Sequence, residues 1–241
     1  MNRDGAIVHG ARLQKRFGGI IATDEVDFVV AEGDLIGLIG PNGSGKTTLI
    51  NLLTGHLSPD SGDIFVRGRR VTARPAHEFA GLGVARTFQL TQLFGRMTVL
   101  ENMLVPGLTR VGSSWAPVLK RARTYLEFLN LAHLETLYAR NLSGGQQKLL
   151  ELGRALMLEP AVLFLDEPFA GVHPQLRNEL IKRILNLHQS GRTFVLVDHD
   201  MESILRCARR LVCMARGRKI ADGPPADVRT DQAVLTAYSG I

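Results

Sequence analysis

Cysteine and tryptophan are nearly missing from this 241-residue chain, with two of the first and one of the second. Cys207 and Cys213 fit no metal-ligand spacing and read as reduced packing residues, which sets aside a disulfide scaffold or a zinc site. No apolar run reaches the ~18 residues that a membrane-spanning helix needs. The opening stretch MNRDGAIVHGARLQKRF is too polar for a secretory signal. Both absences point to the cytoplasm. Aromatics are sparse, at 6%, and none is interleaved with the short basic clusters at 67–70, 206–210 and 216–219. The net charge of +6 is open to three explanations: nucleic acid, an anionic membrane surface or plain solubility. The missing aromatics weigh against the first, and no nucleic acid is expected. Internal repeats and low-complexity tracts are absent as well.

What is present has the composition of a soluble globular protein, 45% hydrophobic and 22% charged. The length allows a substantial core, in one large domain or two small ones. The N-terminal region reads as β, with partly alternating GARLQKRF and VDFVV and a hairpin expected in DIFVRGRRV around Arg67-Gly68. The continuous apolar runs LIGLI, AVLFL, TFVLV and LVCMA suit strands buried on both faces of a parallel sheet. Helical patterns lie between them, at 47–54, 174–189 and 201–208, so the core is α/β. From about Thr98 to Glu159 the pattern is helical without a convincing strand. TVLENMLV carries a capping box of Thr98 and Glu101. Val118, Leu119, Ala122, Tyr125, Leu126 and Leu129 form one face of a further helix. Residues 106–117 read as a loop between the two.

GPNGSGKTT, residues 40–48, matches G-x-x-x-x-G-K-[ST] between a predicted strand and a predicted helix. Gly40, Gly43 and Gly45 let the backbone curl so that its N–H groups face phosphate oxygens, helped by the helix N-terminus. Lys46 can reach the β- and γ-phosphates, and Thr47 can coordinate Mg²⁺. AVLFLDEP ends a buried strand in two carboxylates. Asp166 is placed to hold Mg²⁺ directly or through water, and Glu167 to orient or deprotonate a water. VDHD puts His199 at the carboxyl end of another buried strand, where ligands of parallel sheets gather; taken alone, a histidine there is more often a cap or loop residue. Gln89 follows a predicted strand at 84–88 and is either a metal ligand or an exposed amide. NLSGGQQKLLELGRAL holds a second anion-binding pattern. Ser143 is an N-cap, Gln146 completes a capping box, and the N–H groups of Gly144 and Gly145 face outward, while Leu149, Leu152 and Leu156 mark the buried face.

These pieces, in this order, resemble the ATP-binding subunits of ABC transporters over nearly the whole chain. The resemblance implies a P-loop NTPase (RecA-like) α/β core with an N-terminal antiparallel β subdomain and an inserted all-helical subdomain. Residues 1–88 and 159–241 would form the core and 89–158 the helical part. It makes GPNGSGKTT the Walker A loop, with Asn42, Ser44 and Thr48 beside the glycines and Lys46, and Gln89 the Q-loop glutamine. LSGGQQ becomes the signature, VLFLDE Walker B with Glu167 as catalytic carboxylate, and His199 the switch histidine. Phe17 falls where the family stacks an aromatic on adenine, though a core phenylalanine is equally consistent.

The cofactors implied are ATP and Mg²⁺, with Thr47, Gln89 and Asp166 on the metal. The signature of one subunit is expected to close on the γ-phosphate held by another. The partners implied are therefore a second ATPase subunit, identical or related, with separate transmembrane permease subunits docked near residues 91–104 and a solute-binding protein. The place of work implied is the cytoplasmic face of the membrane. RTFQLTQLFGRMTVLENMLV, LDEPFAGVHP and AVLTAYSG resemble the subgroup serving importers of branched-chain amino acids, urea and other small solutes. Two positions depart from the family: His173 stands where Asp or Asn is usual, and Asp198 where this subgroup often has Glu. ABC-type ATPases that act on DNA ends or ribosomes are the rival reading. The first kind needs a long coiled coil between Gln89 and Ser143, and the second usually carries each motif twice.

Overall fold

The computed structural model describes residues 5–87, 92–108 and 114–239. Two long strands come first, β1 (Ala6–Phe17) and β2 (Ile20–Ala31), paired antiparallel. With β4 (Ser61–Val66) and β5 (Arg69–Arg70) they make a four-stranded sheet of order β2-β1-β4-β5. The hairpin around Arg67-Gly68 is present as expected. Arg67 and Gly68 both take positive φ, 48° and 75°, which a two-residue turn between twisted strands requires.

The second sheet contains β3 (Leu35–Ile39), β6 (Val84–Arg86), β7 (Val162–Asp166), β8 (Thr193–Val197), β9 (Arg210–Ala215) and β10 (Arg218–Gly223). Its order is β10-β9-β3-β8-β7-β6, parallel except for β10 at one edge. Every residue of β3, β7 and β8 is buried. Side chains alternate between the two faces of a strand, and each face has its own core. Leu35, Leu163, Leu165, Phe194 and Leu196 enter one; Ile36, Leu38, Val162, Phe164, Val195 and Val197 enter the other. The unbroken apolar runs are thus two interleaved periodicities of two, one for each core.

Helix α1 (Lys46–Leu53) lies in the second core, where Leu49, Ile50, Leu52 and Leu53 pack with Val8, Phe28 and Ile64 of the antiparallel sheet. At ~1.5–3 kcal/mol for each fully buried side chain of this size, these four residues hold α1, and the loop before it, firmly in place. Short α2 (Ala76–Gly81) leads into β6. Between β6 and β7, the described residues form α3 (Val99–Leu108), α4 (Trp115–Phe128), α5 (Gly144–Leu156) and two single 3-10 turns, with one isolated bridge between Thr98 and Tyr138. The helices α3, α4 and α5 pack on one another and supply much of the first core. α6 (Pro174–Gln189) and α7 (Met201–Cys207) share that core, and α8 (Pro225–Thr230) and α9 (Gln232–Ser239) close the chain.

Two sequence expectations need correction. The loop expected at 106–117 is shorter, because α3 continues through Pro106 to Leu108 and α4 starts at Trp115. Pro106 stands in the last turn of α3, where its missing N–H removes one hydrogen bond without breaking the helix. The strand expected at 84–88 ends at Arg86 among the described residues; Phe88 and Gln89 lie outside them. The basic clusters are also less free than their sequence suggests. Arg210 meets Asp222 and Asp34, Arg218 meets Asp24, and Arg70 meets Asp63.

Candidate functional site

The loop between β3 and α1 is clamped from both sides. Gly40 has φ 145°, and a Cβ there would lie 2.1 Å from the Met214 carbonyl oxygen. Gly45 has φ 101°, and its Cβ would lie 2.1 Å from the Ala22 carbonyl oxygen. The loop therefore fits tightly between β9 on one side and β2 on the other. The Gly217 amide donates to the Ser44 carbonyl at 3.0 Å and closes the clamp. Gly45 is also the N-cap of α1, with no side-chain cap. The first N–H groups of a helix have no internal acceptor, so here they remain available to an anion at the positive end of the helix dipole.

Lys46 reaches back over this loop. Its Nζ donates to the Gly40 carbonyl at 2.8 Å, the Pro41 carbonyl at 2.9 Å and Ser44 Oγ at 3.4 Å. Burial lowers its pKa, while Cys213 and the nearby charges of Glu167 and Asp166 oppose the shift. The two carboxylates and the loop lysine thus share one electrostatic neighbourhood, as the motifs required.

The sheet order produces this neighbourhood. β8 lies between β3 and β7, so the 40–45 loop, His199 and the Asp166-Glu167 pair follow three adjacent parallel strand ends. Asp166 is the last residue of β7 and is buried. Glu167 adopts φ 49°, and its amide donates to the Val197 carbonyl at 2.7 Å. A non-glycine residue in the left-handed region costs energy, and such strain collects at functional sites. His199 projects from the end of β8 with its side chain 68% exposed, Nδ1 lying 3.5 Å from Asp198 Oδ1.

Asp198, one of the two positions that depart from the family pattern, ties the site together. Its buried carboxylate accepts from the Phe169 amide at 2.8 Å and the Asp200 amide at 3.0 Å. The segment after Glu167 is fastened in this way to the segment around His199. His173 also has a local explanation. It is the N-cap of α6, its Nδ1 accepting from the Gln175 amide at 3.4 Å, with Pro174 in the first turn. An imidazole thus does the capping work that Asp or Asn would do.

Phe17 ends β1 with 47% of its surface exposed. It is a surface ring, with Lys15 Nζ 5.8 Å from its centroid, and so is free to stack on a flat ligand. Gln89 falls outside the described residues.

The capping box expected at the start of α5 is present. Ser143 and Gln146 make a full capping box: Ser143 N–H donates to Gln146 Oε1 at 2.9 Å, and Gln146 N–H to Ser143 Oγ at 3.4 Å. Gln146 therefore serves the cap with its carbonyl oxygen. The two glycines differ. A Cβ on Gly144 would meet nothing within 4 Å, whereas on Gly145 it would lie 2.4 Å from Leu176 Cδ1. Gly144 is the open face of the turn, and Gly145 is bare so that α5 can pack on α6. Among the described residues no hydrogen bond links 143–146 to 40–48.

For a cation, Thr47 and Asp166 offer hard oxygen donors of the kind Mg²⁺ takes. Among the described residues no group of three or more His, Cys, Asp or Glu could hold a metal.

Comparison with known proteins identifies the family. A family model described as "ABC transporter" matches residues 23–170, and one described as "Branched-chain amino acid ATP-binding cassette transporter" matches 218–238. A probable branched-chain amino acid transport ATP-binding protein (LivG) of Archaeoglobus fulgidus is 38% identical, over 97% of this chain and 95% of its own length. The high-affinity branched-chain amino acid transport ATP-binding protein LivG of Escherichia coli strain K12 is 36% identical, over 95% of each. Among solved structures, the ADP conformation of an ATP-binding cassette of an ABC transporter superposes with a TM-score of 0.88 at 36% identity, covering 98% of this chain and 99% of that one.

Proposed function

Because this chain belongs to the ABC transporter family of ATP-binding proteins, we propose that it is the ATP-hydrolysing subunit of an importer for branched-chain amino acids or a related small solute such as urea. The solute assignment rests on the relatives named for branched-chain amino acid transport and on the C-terminal match at 218–238. No helix among the described residues is long and apolar enough to cross a membrane; the reading takes the membrane-spanning permease subunits as separate chains. The reading sets this chain against them on the cytoplasmic face, through residues 91–104. It takes 1–88 and 159–241 as the catalytic core and 89–158 as the helical subdomain.

One observation carries the mechanism: the loop at 40–45, His199 and the Asp166-Glu167 pair follow three neighbouring strand ends, while the capped end of α5 serves none of them. In this reading ATP lies with adenine on Phe17 and its phosphates in the loop formed by Gly40, Asn42, Gly43, Ser44 and Gly45, which also engages Thr48 at the start of α1. Lys46 moves its hydrogen bonds from the loop carbonyls to phosphate oxygens. Thr47 and Asp166, with Gln89, would hold Mg²⁺, which when bound neutralises charge on the β- and γ-phosphates. Glu167 accepts the proton of the attacking water, and His199 donates a hydrogen bond to the γ-phosphate. Ser143 and Gly144 of a second subunit close over that phosphate. The nucleotide then joins two subunits, and hydrolysis releases them.

A strain lacking the gene tests the reading through uptake of labelled leucine, isoleucine, valine and urea. Restoration of at least one by the wild-type chain and of none by Glu167→Gln is expected. Undiminished uptake of all four in the disrupted strain would remove the solute assignment.

A further inference from the structure

The metal-site carboxylate is held by a cation that the motifs do not include. Arg86 is the last residue of β6, next to β7 in the sheet. Its Nη2 donates to Asp166 Oδ2 at 2.7 Å, and its Nη1 donates to Asn51 Oδ1. The arginine and aspartate side chains are only 7% and 5% exposed. A carboxylate this deep would be costly without a cationic partner. Arginine supplies the charge with a planar fork that fixes direction as well as distance.

Asn51 gives the fork its second anchor. It lies one turn along α1 from Thr47 and therefore on the same face of the helix. One guanidinium thus spans the two elements that carry the metal-binding candidates, α1 with Thr47 and β7 with Asp166. Asp166 Oδ2 is committed to Arg86, while the Asp166 amide lies 3.4 Å from Thr87 Oγ1. The carboxylate is thus held by Arg86 and the Asp166 main chain by Thr87, the residue after β6.

We propose that Arg86, anchored by Asn51, is a positioning residue that sets the separation and orientation of Thr47 and Asp166 and thereby governs divalent-metal binding to the nucleotide complex. This rests on the reading of Thr47 and Asp166 as metal ligands. In this role Arg86 acts through Asp166. Its charge alone would act in the opposite sense: a cation beside a cation site repels it, so removing that charge would tighten metal binding. Loss of positioning weakens it.

The test uses the full chain saturated with ADP, with Mn²⁺ as the probe and its binding followed by electron paramagnetic resonance. Metal-free ADP affinity is measured alongside. Outer-shell partners of metal ligands are typically worth ~10–100-fold in metal affinity. Arg86→Lys keeps the charge without the fork, and Arg86→Met removes both; each is expected to weaken Mn²⁺ binding by about 10-fold or more and leave metal-free ADP affinity unchanged. Asn51→Ala leaves the ion pair but frees the fork, and it should weaken Mn²⁺ in the same direction. It also serves as the deciding variant if the Arg86 substitutions do not fold. Wild-type Mn²⁺ affinity in Asn51→Ala and in any folded Arg86 variant, tighter binding in Arg86→Met, or an equal loss of metal-free ADP binding would each overturn the proposal. If Thr47→Ala and Asp166→Asn also bind Mn²⁺ like the wild type, it is the metal-site reading itself that fails.

Discussion

Glu167 donates its backbone N–H to the carbonyl of Val197 at 2.7 Å, and it does so from the left-handed region, at φ 49°. The bond joins the residue after β7 to the last residue of β8, two positions before His199. The proposed base and the proposed switch are therefore set by one backbone contact, formed at the expense of local strain.

Two substitutions separate the carboxylate from the strain. Glu167→Gln keeps shape and backbone, so ATP binding persists, turnover falls by roughly 100-fold or more, and an ATP-bound dimer accumulates on size exclusion. Glu167→Gly also loses activity, but it relieves the left-handed backbone and should raise stability by about 1 kcal/mol. Thermal melts without nucleotide check the second point. A melting temperature below wild type would show that the conformation carries no strain.

At Ser143 the cap and the composite site can be told apart. Ser143→Ala removes one half of the capping box at about 1 kcal/mol, visible as a lower melting temperature. Ser143→Arg is expected to abolish hydrolysis while the isolated subunit still binds ATP. Loss of ATP binding by that isolated subunit would assign Ser143 to its own chain's site.

Loop glycines of similar φ should respond very differently. Gly45→Ala forces a Cβ to within 2.1 Å of the Ala22 carbonyl, and it should cost on the order of 3 kcal/mol and remove nucleotide binding. Gly43→Ala meets nothing within 4 Å and has φ 75°, so its cost is about 1 kcal/mol of backbone strain. Denaturation midpoints with nucleotide titration distinguish the two, and equal effects would refute the clamp.

The thiols offer a pH-dependent check. Burial pushes Cys207 up to about 12 and Cys213 up to about 11, from an ordinary 9.0. Both remain protonated in the folded chain at pH 8, so iodoacetamide should label neither until denaturant is added. The linkage has a definite sign. Above pH 9 the unfolded chain ionises its thiols and the folded chain does not, so stability falls as pH climbs from about 9 toward 11 and 12. Rapid native alkylation would show that the two sites open readily.

The sequence made the strands legible where burial on both faces left an unbroken apolar run, as in LIGLI and VLFLD. It made the phosphate loop and both capping boxes legible because these depend on residues a few positions apart. What it hid depends on pairs distant in the chain. Arg86 closes a three-residue strand, and its partner Asp166 is 80 positions away. The one available signal was a cation ending a buried strand, where it needs a partner. Asp198 looked like a shortened glutamate, because its value lies in reaching the Phe169 amide. The cap formed by His173 has its own local signal in Pro174 beside it, at the first position of α6. The end of α3 was hidden because Pro106 and Gly107 are turn residues by type, yet both fit the last turn of a helix.

The strand order sets a dimension as well as a neighbourhood. With β8 between them, the ends of β3 and β7 are separated by two interstrand spacings, about 10 Å. This gauge is made of main-chain hydrogen bonds, which no side-chain substitution can widen. Attempts to refit the pocket to a bulkier phosphoryl group must therefore work on the loops beyond the strand ends. Variants that retain the sheet will keep the same opening however their side chains are changed.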